Sequence, residues 1–175
     1  MPEAPLEDAA TVTLLSGLGR LSLRGRPEAL TAAGVAFNLK LPDQVCRAAE
    51  GDARAALWLG PDEQLLLVQQ EVWPEVLAGL VSGLAGTPHS LVDISQRQVA
   101  LHIGGARAAD LLNAGCPLDL HLQAFPVGMC TRTVLAKAPI VLWRTAAEEF
   151  HLEVWRSLAL YVRRLLGEVA REFEH

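Results

Sequence analysis

Aromatic residues are scarce in this sequence: 5% of its 175 residues are Phe, Trp or Tyr, and only 20% are charged. Cysteine is sparse too, with Cys46, Cys116 and Cys130 widely spaced and no CxxC pair. An odd, scattered set supports neither a disulfide framework nor a zinc site, so buried reduced thiols are expected. A basic surplus is missing: 15 Lys and Arg stand against 20 Asp and Glu, a formal net charge of −5. That argues against a nucleic-acid surface, which needs a dense basic patch. Long hydrophobic runs are absent as well. A membrane-spanning helix needs about 20 consecutive apolar residues. The longest uncharged run, Val76 to Val92, is interrupted by Gly79, Gly83, Gly86, Pro88 and His89. It reads as a short buried helix, a turn and a strand start, and no membrane association is expected. The opening MPEAPLEDAA is acidic and lacks a basic region ahead of an apolar one, so no signal peptide is expected. The expected location is the cytoplasm.

What is present is apolar. Hydrophobic residues make up 51% and the mean hydropathy is +0.25. Disordered chains are poor in apolar residues, so a folded chain is expected, of a length that fits one domain or two small intertwined lobes. An apolar surplus without a membrane span points to a core plus a surface that a partner covers.

Residues 1–16 carry two prolines and three acids ahead of any regular pattern and read as an N-terminal arm, with residues 17–175 as a single domain. Leu21 to Gly25 suggests a short strand. Residues 26–53 give mixed signals, although Phe37 to Leu41 alternates like a strand before Pro42-Asp43 breaks it. Arg54 to Leu59 and Gln64 to Gln69 flank Gly60-Pro61-Asp62-Glu63, whose Pro and Asp suit the central turn positions of a hairpin. Pro74 and the spacing of Val76, Leu77, Leu80, Val81 and Leu84 predict a helix over about 74–85, stopped by Gly86. Leu91 to Ile94 and Arg97 to Ile103 read as strands, Ala106 to Asn113 as a short helix, and Cys116 to Val127 as a loop. Three strands follow: Cys130 to Lys137, Pro139 to Arg144, and one carrying Phe150, Leu152 and Val154. Leu158, Val162, Leu165, Leu166, Val169 and Phe173 then form a helical stripe, with Ser157 as its N-cap and Arg163, Arg164, Glu168 and Arg171 toward water. Short links make the sheet largely antiparallel, with helices on one face, an α+β class. A strand pair followed by a helix occurs twice, which hints at a duplicated unit.

The signatures of catalysis are mostly missing. Gly17-Leu18-Gly19 lacks the third glycine of a dinucleotide cradle, and no Walker A, GxSxG, HExxH or EF-hand loop occurs. Gly104-Gly105-Ala106 between strand and helix can hold an anion on free N–H groups or serve a tight turn. His151 and Glu153 share one side of a strand; they fit a base with an orienting carboxylate, or more simply the solvated face of an amphipathic strand. Asp93 in VDIS can accept from a substrate amine or pterin ring, or cap a local turn with Ser95, which its propensity favours. Cys116 and Cys130 are possible nucleophiles, with only Arg132 nearby in sequence to depress a thiol pKa. The four tryptophans suit core or interface packing better than base stacking.

Four strings carry a resemblance: WLGPDEQLLL (58–67), LVDISQRQVALHIGG (91–105), LLNAGCPLDLHLQAFPVGMCTRTVLAKAPIVLWR (111–144) and FHLEVWRSLALYV (150–162). Together, over about residues 54–166, the chain resembles the gamma subunit of heterotetrameric sarcosine oxidase. The resemblance implies an α+β fold of two interleaved strand-strand-helix lobes, like the folate-binding domain of aminomethyltransferases. It implies larger alpha and beta flavoprotein subunits as partners, which hold FAD, FMN, NAD and tetrahydrofolate. The complex converts sarcosine, O2 and tetrahydrofolate to glycine, hydrogen peroxide and methylenetetrahydrofolate. This chain is expected to be a non-catalytic subunit with no cofactor of its own. Ala114-Gly115-Cys116-Pro117 lacks the Lys-Gly-Cys-aromatic signature of related folate proteins, so no catalytic, cofactor-binding or metal-binding residue is assigned. In the matching motif, Pro117 is expected to fix a turn, Asp119 to cap it, and Arg132 or Lys137 to pair with partner carboxylates. The alternative is a stand-alone folate-binding one-carbon-transfer module, in which Asp93 is the first residue to test.

Overall fold

The structure is a computed structural model and describes residues 10–173. In chain order the elements are β1 (Thr11–Leu15), β2 (Leu18–Gly25), α1 (Pro27–Ala36), β3 (Ala48–Gly51), β4 (Arg54–Gly60), β5 (Glu63–Gln69), α2 (Trp73–Gly83) and β6 (His89–Asp93). Then come β7 (Gln98–Gly104), α3 (Ala108–Asn113), β8 (Cys130–Leu135), β9 (Ala138–Ala146), β10 (Glu149–Trp155) and α4 (Ala159–Glu172). Two compact units result. One comprises Ser16–Gln98 with Met129–Thr131; the other comprises Val99–Gly128, the residues from Arg132 onward and those up to Leu15. They are called the 16–98 unit and the 99–173 unit below.

The 16–98 unit holds a five-stranded sheet in the order β3-β4-β5-β2-β6, with every neighbouring pair antiparallel. Leu21, Leu23, Leu66 and Val68 from the sheet meet Ala29, Ala33, Val76 and Leu80 from α1 and α2 in one buried cluster. Burying each large side chain contributes about 1.5–3 kcal/mol, which makes this cluster the main stabilising feature of the unit. The two helices approach closely because their contact is made of small residues: a Cβ on Gly83 would lie 2.7 Å from the Ala36 Cβ. Gly19 serves the same purpose on β2, where the Trp73 ring occupies the space a Cβ would need.

The expected hairpin is present, with Pro61 and Asp62 joining β4 to β5, and the expected helix is α2. Two features differ from expectation. Phe37 to Leu41 is not a strand. It closes the C-terminus of α1, with Phe37 N–H donating to Ala33 O, Asn38 at φ +50° and Leu39 N–H donating to Gly34 O. Phe37 and Leu41 are buried because the chain folds back under the helix, which imitates strand alternation in the sequence. α1 itself lay within the segment of mixed signals. Pro27 sets its first turn, but its buried face is only Ala29 and Ala33, too small to give a hydrophobic stripe.

The 99–173 unit holds the second five-stranded sheet, β1-β7-β10-β9-β8. β1 and β7 pair antiparallel, as do β9 and β10. Phe150, Leu152 and Val154 alternate along one side of β10 and are fully buried, as is Val162 of α4. Arg163, Arg164, Glu168 and Arg171 face water as expected. Ser157 is not the N-cap of α4. It lies in a 3-10 turn, Arg156–Leu158, that precedes the helix, and the cap residue is Leu158 with no side-chain cap bond. Residues 1–9 of the expected arm lie outside the described residues, and Thr11–Leu15 form β1.

The suspected repeat is visible in the geometry. Each unit contains a hairpin with a two-residue link, a 3-10 turn and then a helix. Beside each link one extra residue interrupts the register, Leu59 between the Trp58↔Gln64 and Gly60↔Glu63 pairs, and Thr145 between the Arg144↔Phe150 and Ala146↔Glu149 pairs. One constant offset in numbering carries Gln64 onto Phe150, Val76 onto Val162 and Leu80 onto Leu166.

Candidate functional site

The 16–98 unit has a groove of about 850 Å3 where the end of the β4–β5 hairpin meets α1 and the following loop. Leu30, Val35, Leu41, Val45, Trp58 and Gln64 are among its lining residues. The loop wall is anchored by Arg54, whose Nη1 donates to Phe37 O at 2.6 Å while its guanidinium stands 5.7 Å from the Phe37 ring centroid. Val35 and Val45 are 80% and 68% exposed, the two most exposed large hydrophobic residues among those described. At the mouth Lys40 Nζ meets Asp43 Oδ2 at 3.0 Å, and this bond with the lysine charge holds the Asp43 carboxyl below its ordinary pKa. The two charges offset one another, so the groove is close to neutral.

Thr31 and Asn38 also line it and are exposed, and Gln64 is its buried polar residue. Only 1% exposed, it donates from Nε2 to Pro42 O at 3.0 Å. Its Oε1 is buried and has no hydrogen-bond partner. The bond to Pro42 O fixes which end of the amide is which, because a carbonyl can only accept. The groove therefore has largely apolar walls, and the Gln64 acceptor is enclosed beneath them.

The 99–173 unit places His151 and Glu153 differently from the expected solvated face. Both are buried, and His151 Nε2 lies 2.8 Å from Glu153 Oε1. β10 is the central strand of its sheet, so burial reaches both of its sides and alternation no longer separates core from water. The Trp143 ring packs on His151 with centroids 5.7 Å apart. At 6% and 1% exposure the pair has the composition of a base with an orienting carboxylate but is closed to a substrate from solvent.

The remaining candidates separate cleanly. Asp93 Oδ1 accepts from Ser95 N at 2.8 Å and Ser95 Oγ at 2.6 Å, a capped turn. Asp119 Oδ1 accepts from His121 N at 2.8 Å, the cap expected of it. Gly105 N–H donates to Glu148 O and Ala108 N–H to Gly105 O, so those donors are taken by the fold. Cys116 is buried, with Sγ 4.0 Å from Thr133 Oγ1. Burial pushes the Cys130 thiol up to about 12, and its Sγ donates to Trp58 O. A protonated buried thiol is a poor nucleophile, which removes Cys130 from catalysis. Arg132 and Lys137 are exposed on and just after β8. Trp58 lines the groove, Trp143 is buried and Trp155 is exposed.

No group of three or more His, Cys, Asp or Glu that could hold a metal ion occurs among the described residues. No helix among them is long and apolar enough to cross a membrane. Sequence reasoning missed the groove, since α1 lacked a stripe. The available signal was Gln64 itself, an amide heading the apolar run Leu65 to Val68.

Comparison with known proteins gives a consistent result. The model of the sarcosine oxidase gamma subunit family matches residues 25–172. Over 134 residues the chain is 36% identical to a sarcosine oxidase subunit gamma of Corynebacterium sp. (strain P-1), covering 76% of this chain. A second relative of the same name, from Arthrobacter sp, is 39% identical over 125 residues, 69% of this chain. The chain spans 65% and 59% of the lengths of these two curated relatives, less than two thirds of either. Among solved structures, a chain of the heterotetrameric sarcosine oxidase from Corynebacterium sp. U-96, in complex with pyrrole 2-carboxylate, superposes with a TM-score of 0.91. The identity is 31%, over 99% of this chain and 89% of that one. The glycine cleavage system aminomethyltransferase T from Bartonella henselae gives a TM-score of 0.72 at 13% identity, over 91% of this chain and 45% of that one, a likeness of fold alone.

Proposed function

The chain belongs to the sarcosine oxidase gamma subunit family, and we propose that it is a non-catalytic subunit of a heterotetrameric sarcosine oxidase. The assembly oxidises sarcosine to glycine, reduces O2 to hydrogen peroxide and passes the one-carbon unit to tetrahydrofolate as methylenetetrahydrofolate. The observation that carries this reading is the likeness, over 99% of the chain, to a chain of the heterotetrameric enzyme. Larger alpha and beta subunits hold FAD, FMN, NAD and tetrahydrofolate, and this chain contributes no catalytic, cofactor-binding or metal-binding residue. The assembly works in the cytoplasm, with residues 17–175 as the folding domain, to whose second sheet Thr11–Leu15 of the 1–16 arm add an edge strand.

The geometry supports a binding role over a catalytic one. The carboxylate and thiol candidates are engaged in turns or buried, whereas the open feature is apolar. Tagging this chain and co-expressing it with the larger subunits of its own organism tests the reading. A flavin-absorbing complex with sarcosine oxidase activity should co-elute with the tag. Elution of the chain without any flavin-containing partner defeats the proposal.

A further inference from the structure

We propose that Cys46 and Cys130 form a peroxide-responsive dithiol, in which hydrogen peroxide oxidises Cys46 and Cys130 closes a reversible disulfide with it. The source of the oxidant rests on the subunit reading above, because hydrogen peroxide is the product of the proposed assembly. The pairing itself comes from the fold of the 16–98 unit, to which Met129–Thr131 belong.

The two cysteines are far apart in sequence but meet across a short antiparallel pairing. Arg47 and Met129 form an antiparallel bridge, and one step along it Cys130 N–H donates to Cys46 O at 3.0 Å. Hydrogen-bonded antiparallel pairs hold their Cα atoms about 5.5 Å apart, inside the roughly 4.4–6.8 Å that a disulfide spans. The two sulfurs also lie close enough for charge on one to act on the other. Burial first, and then the neighbouring Cys46 sulfur, hold the Cys130 thiol up at about 12. Both cysteines are free thiols in this structure. Cys46 is half-buried beside exposed Gln44 and Val45, where peroxide can reach it, whereas Cys130 is fully buried. Cys46 also holds φ +57°, a left-handed backbone of the kind that gathers at functional sites.

This difference in access divides the chemistry. The Cys46 sulfur attacks one peroxide oxygen, the O–O bond breaks, and hydroxide leaves with the thiol proton as water. Cys46 becomes a sulfenic acid, oxidised by two electrons as the peroxide is reduced. The Cys130 sulfur then attacks the Cys46 sulfur, the S–O bond breaks, and the hydroxyl leaves with the Cys130 proton as a second water. The Cys130 Sγ–H donates to Trp58 O at 3.6 Å in the reduced state, so this second step relies on proximity and not on a ready thiolate. The bond stores the oxidation in a form that thiols reverse, in place of an irreversible sulfinic acid. Disulfides inside cells are commonly of this transient, redox-sensing kind.

The test treats the full chain, alone and in the purified assembly, with hydrogen peroxide. The product is unfolded, alkylated, digested without reductant and mapped by mass spectrometry. A peptide linking Cys46 to Cys130 should become the main oxidation product and disappear with dithiothreitol. Cys116, in the 99–173 unit with its Sγ near Thr133 Oγ1, should stay alkylatable. In Cys46→Ser, Cys130 should remain a free thiol. In Cys130→Ser, a dimedone-reactive Cys46 should accumulate and pass to the sulfinic acid several-fold faster than in wild type. Conversion of wild-type Cys46 to the sulfinic acid without a disulfide overturns the proposal. So does a Cys46 link between two copies, or two free thiols at a peroxide excess that oxidises the unfolded chain. During sarcosine turnover in air the assembly should form the same bond, and catalase should prevent it; turnover that leaves both thiols free overturns the proposal as stated. The added-peroxide experiment on the chain alone needs no partner, so failure of the subunit reading shows separately, as loss of the co-eluting flavoprotein.

Discussion

β5 and β10 are each the third of five strands, each the second strand of a hairpin with an extra residue beside its link, and each leads through a 3-10 turn into a helix. On one side Leu66 and Val68 of β5 correspond to Leu152 and Val154 of β10, and all four are fully buried. On the other side β5 carries Leu65 and Leu67 where β10 carries His151 and Glu153. The same backbone therefore buries leucines in one unit and a hydrogen-bonded polar pair in the other. Strand register needs an apolar pattern on only one side. The second side is free to change chemistry provided that buried polar groups find partners.

The largest effect should come from forcing one unit's chemistry onto the other without its partner. Leu67→Glu buries a carboxylate opposite Ala55 and Arg20, whose Nη1 already donates to Leu18 O, and should destabilise by more than about 3 kcal/mol, read as a lowered midpoint of the cooperative urea transition. A retained midpoint would show that the two strands are less alike in surroundings than in register. Phe150→Gln, which copies Gln64 into the β9–β10 hairpin, should cost about 3 kcal/mol and create binding of a hydrophobic dye. Glu153→Leu leaves the His151 ring nitrogen without its acceptor and should cost about 2 kcal/mol. The double variant His151→Leu/Glu153→Leu, which makes β10 resemble β5, should recover most of that loss in the same denaturation assay. Non-recovery would assign the pair a structural part beyond mutual satisfaction.

The smallest effect is nil at neutral pH. The Cys130 thiol is raised to about 12 in the folded chain by burial, against an ordinary value of 9.0 when exposed. The neutral form is thus favoured by folding, so its stabilising contribution is whole below pH 9 and is lost as pH rises from 9 toward 12. Cys130→Ala should flatten the decline in melting temperature over that window. An identical decline in the variant would mean that Cys130 does not titrate as its burial implies.

Much of the fold was legible because its signals are local. Pro61 and Asp62 name the link of one hairpin, Pro74 starts α2, and the Val162-Leu166 spacing marks the buried side of α4. The failures were also physical. α1 buries only Ala29 and Ala33 and meets the other helix through Ala36, against Gly79 and Gly83, so no stripe appears in its own sequence. Phe37 and Leu41 imitate a strand because a chain reversing beneath a helix end also sends alternate side chains inward. His151 and Glu153 read as a solvated face because alternation identifies two sides of a strand but not what covers the second.

The amino-acid sequence by itself determined the α+β class, the repeated hairpin-and-helix order and, through its specific strings, the family. All of these rest on short-range patterns that survive without knowledge of neighbours. Only the tertiary structure decided which polar residues are enclosed and which hollow stays open. Burial is a sum over contacts from distant parts of the chain, and no single segment records it. Gln64 is one residue in an ordinary strand until α1 and its loop leave its oxygen without a donor.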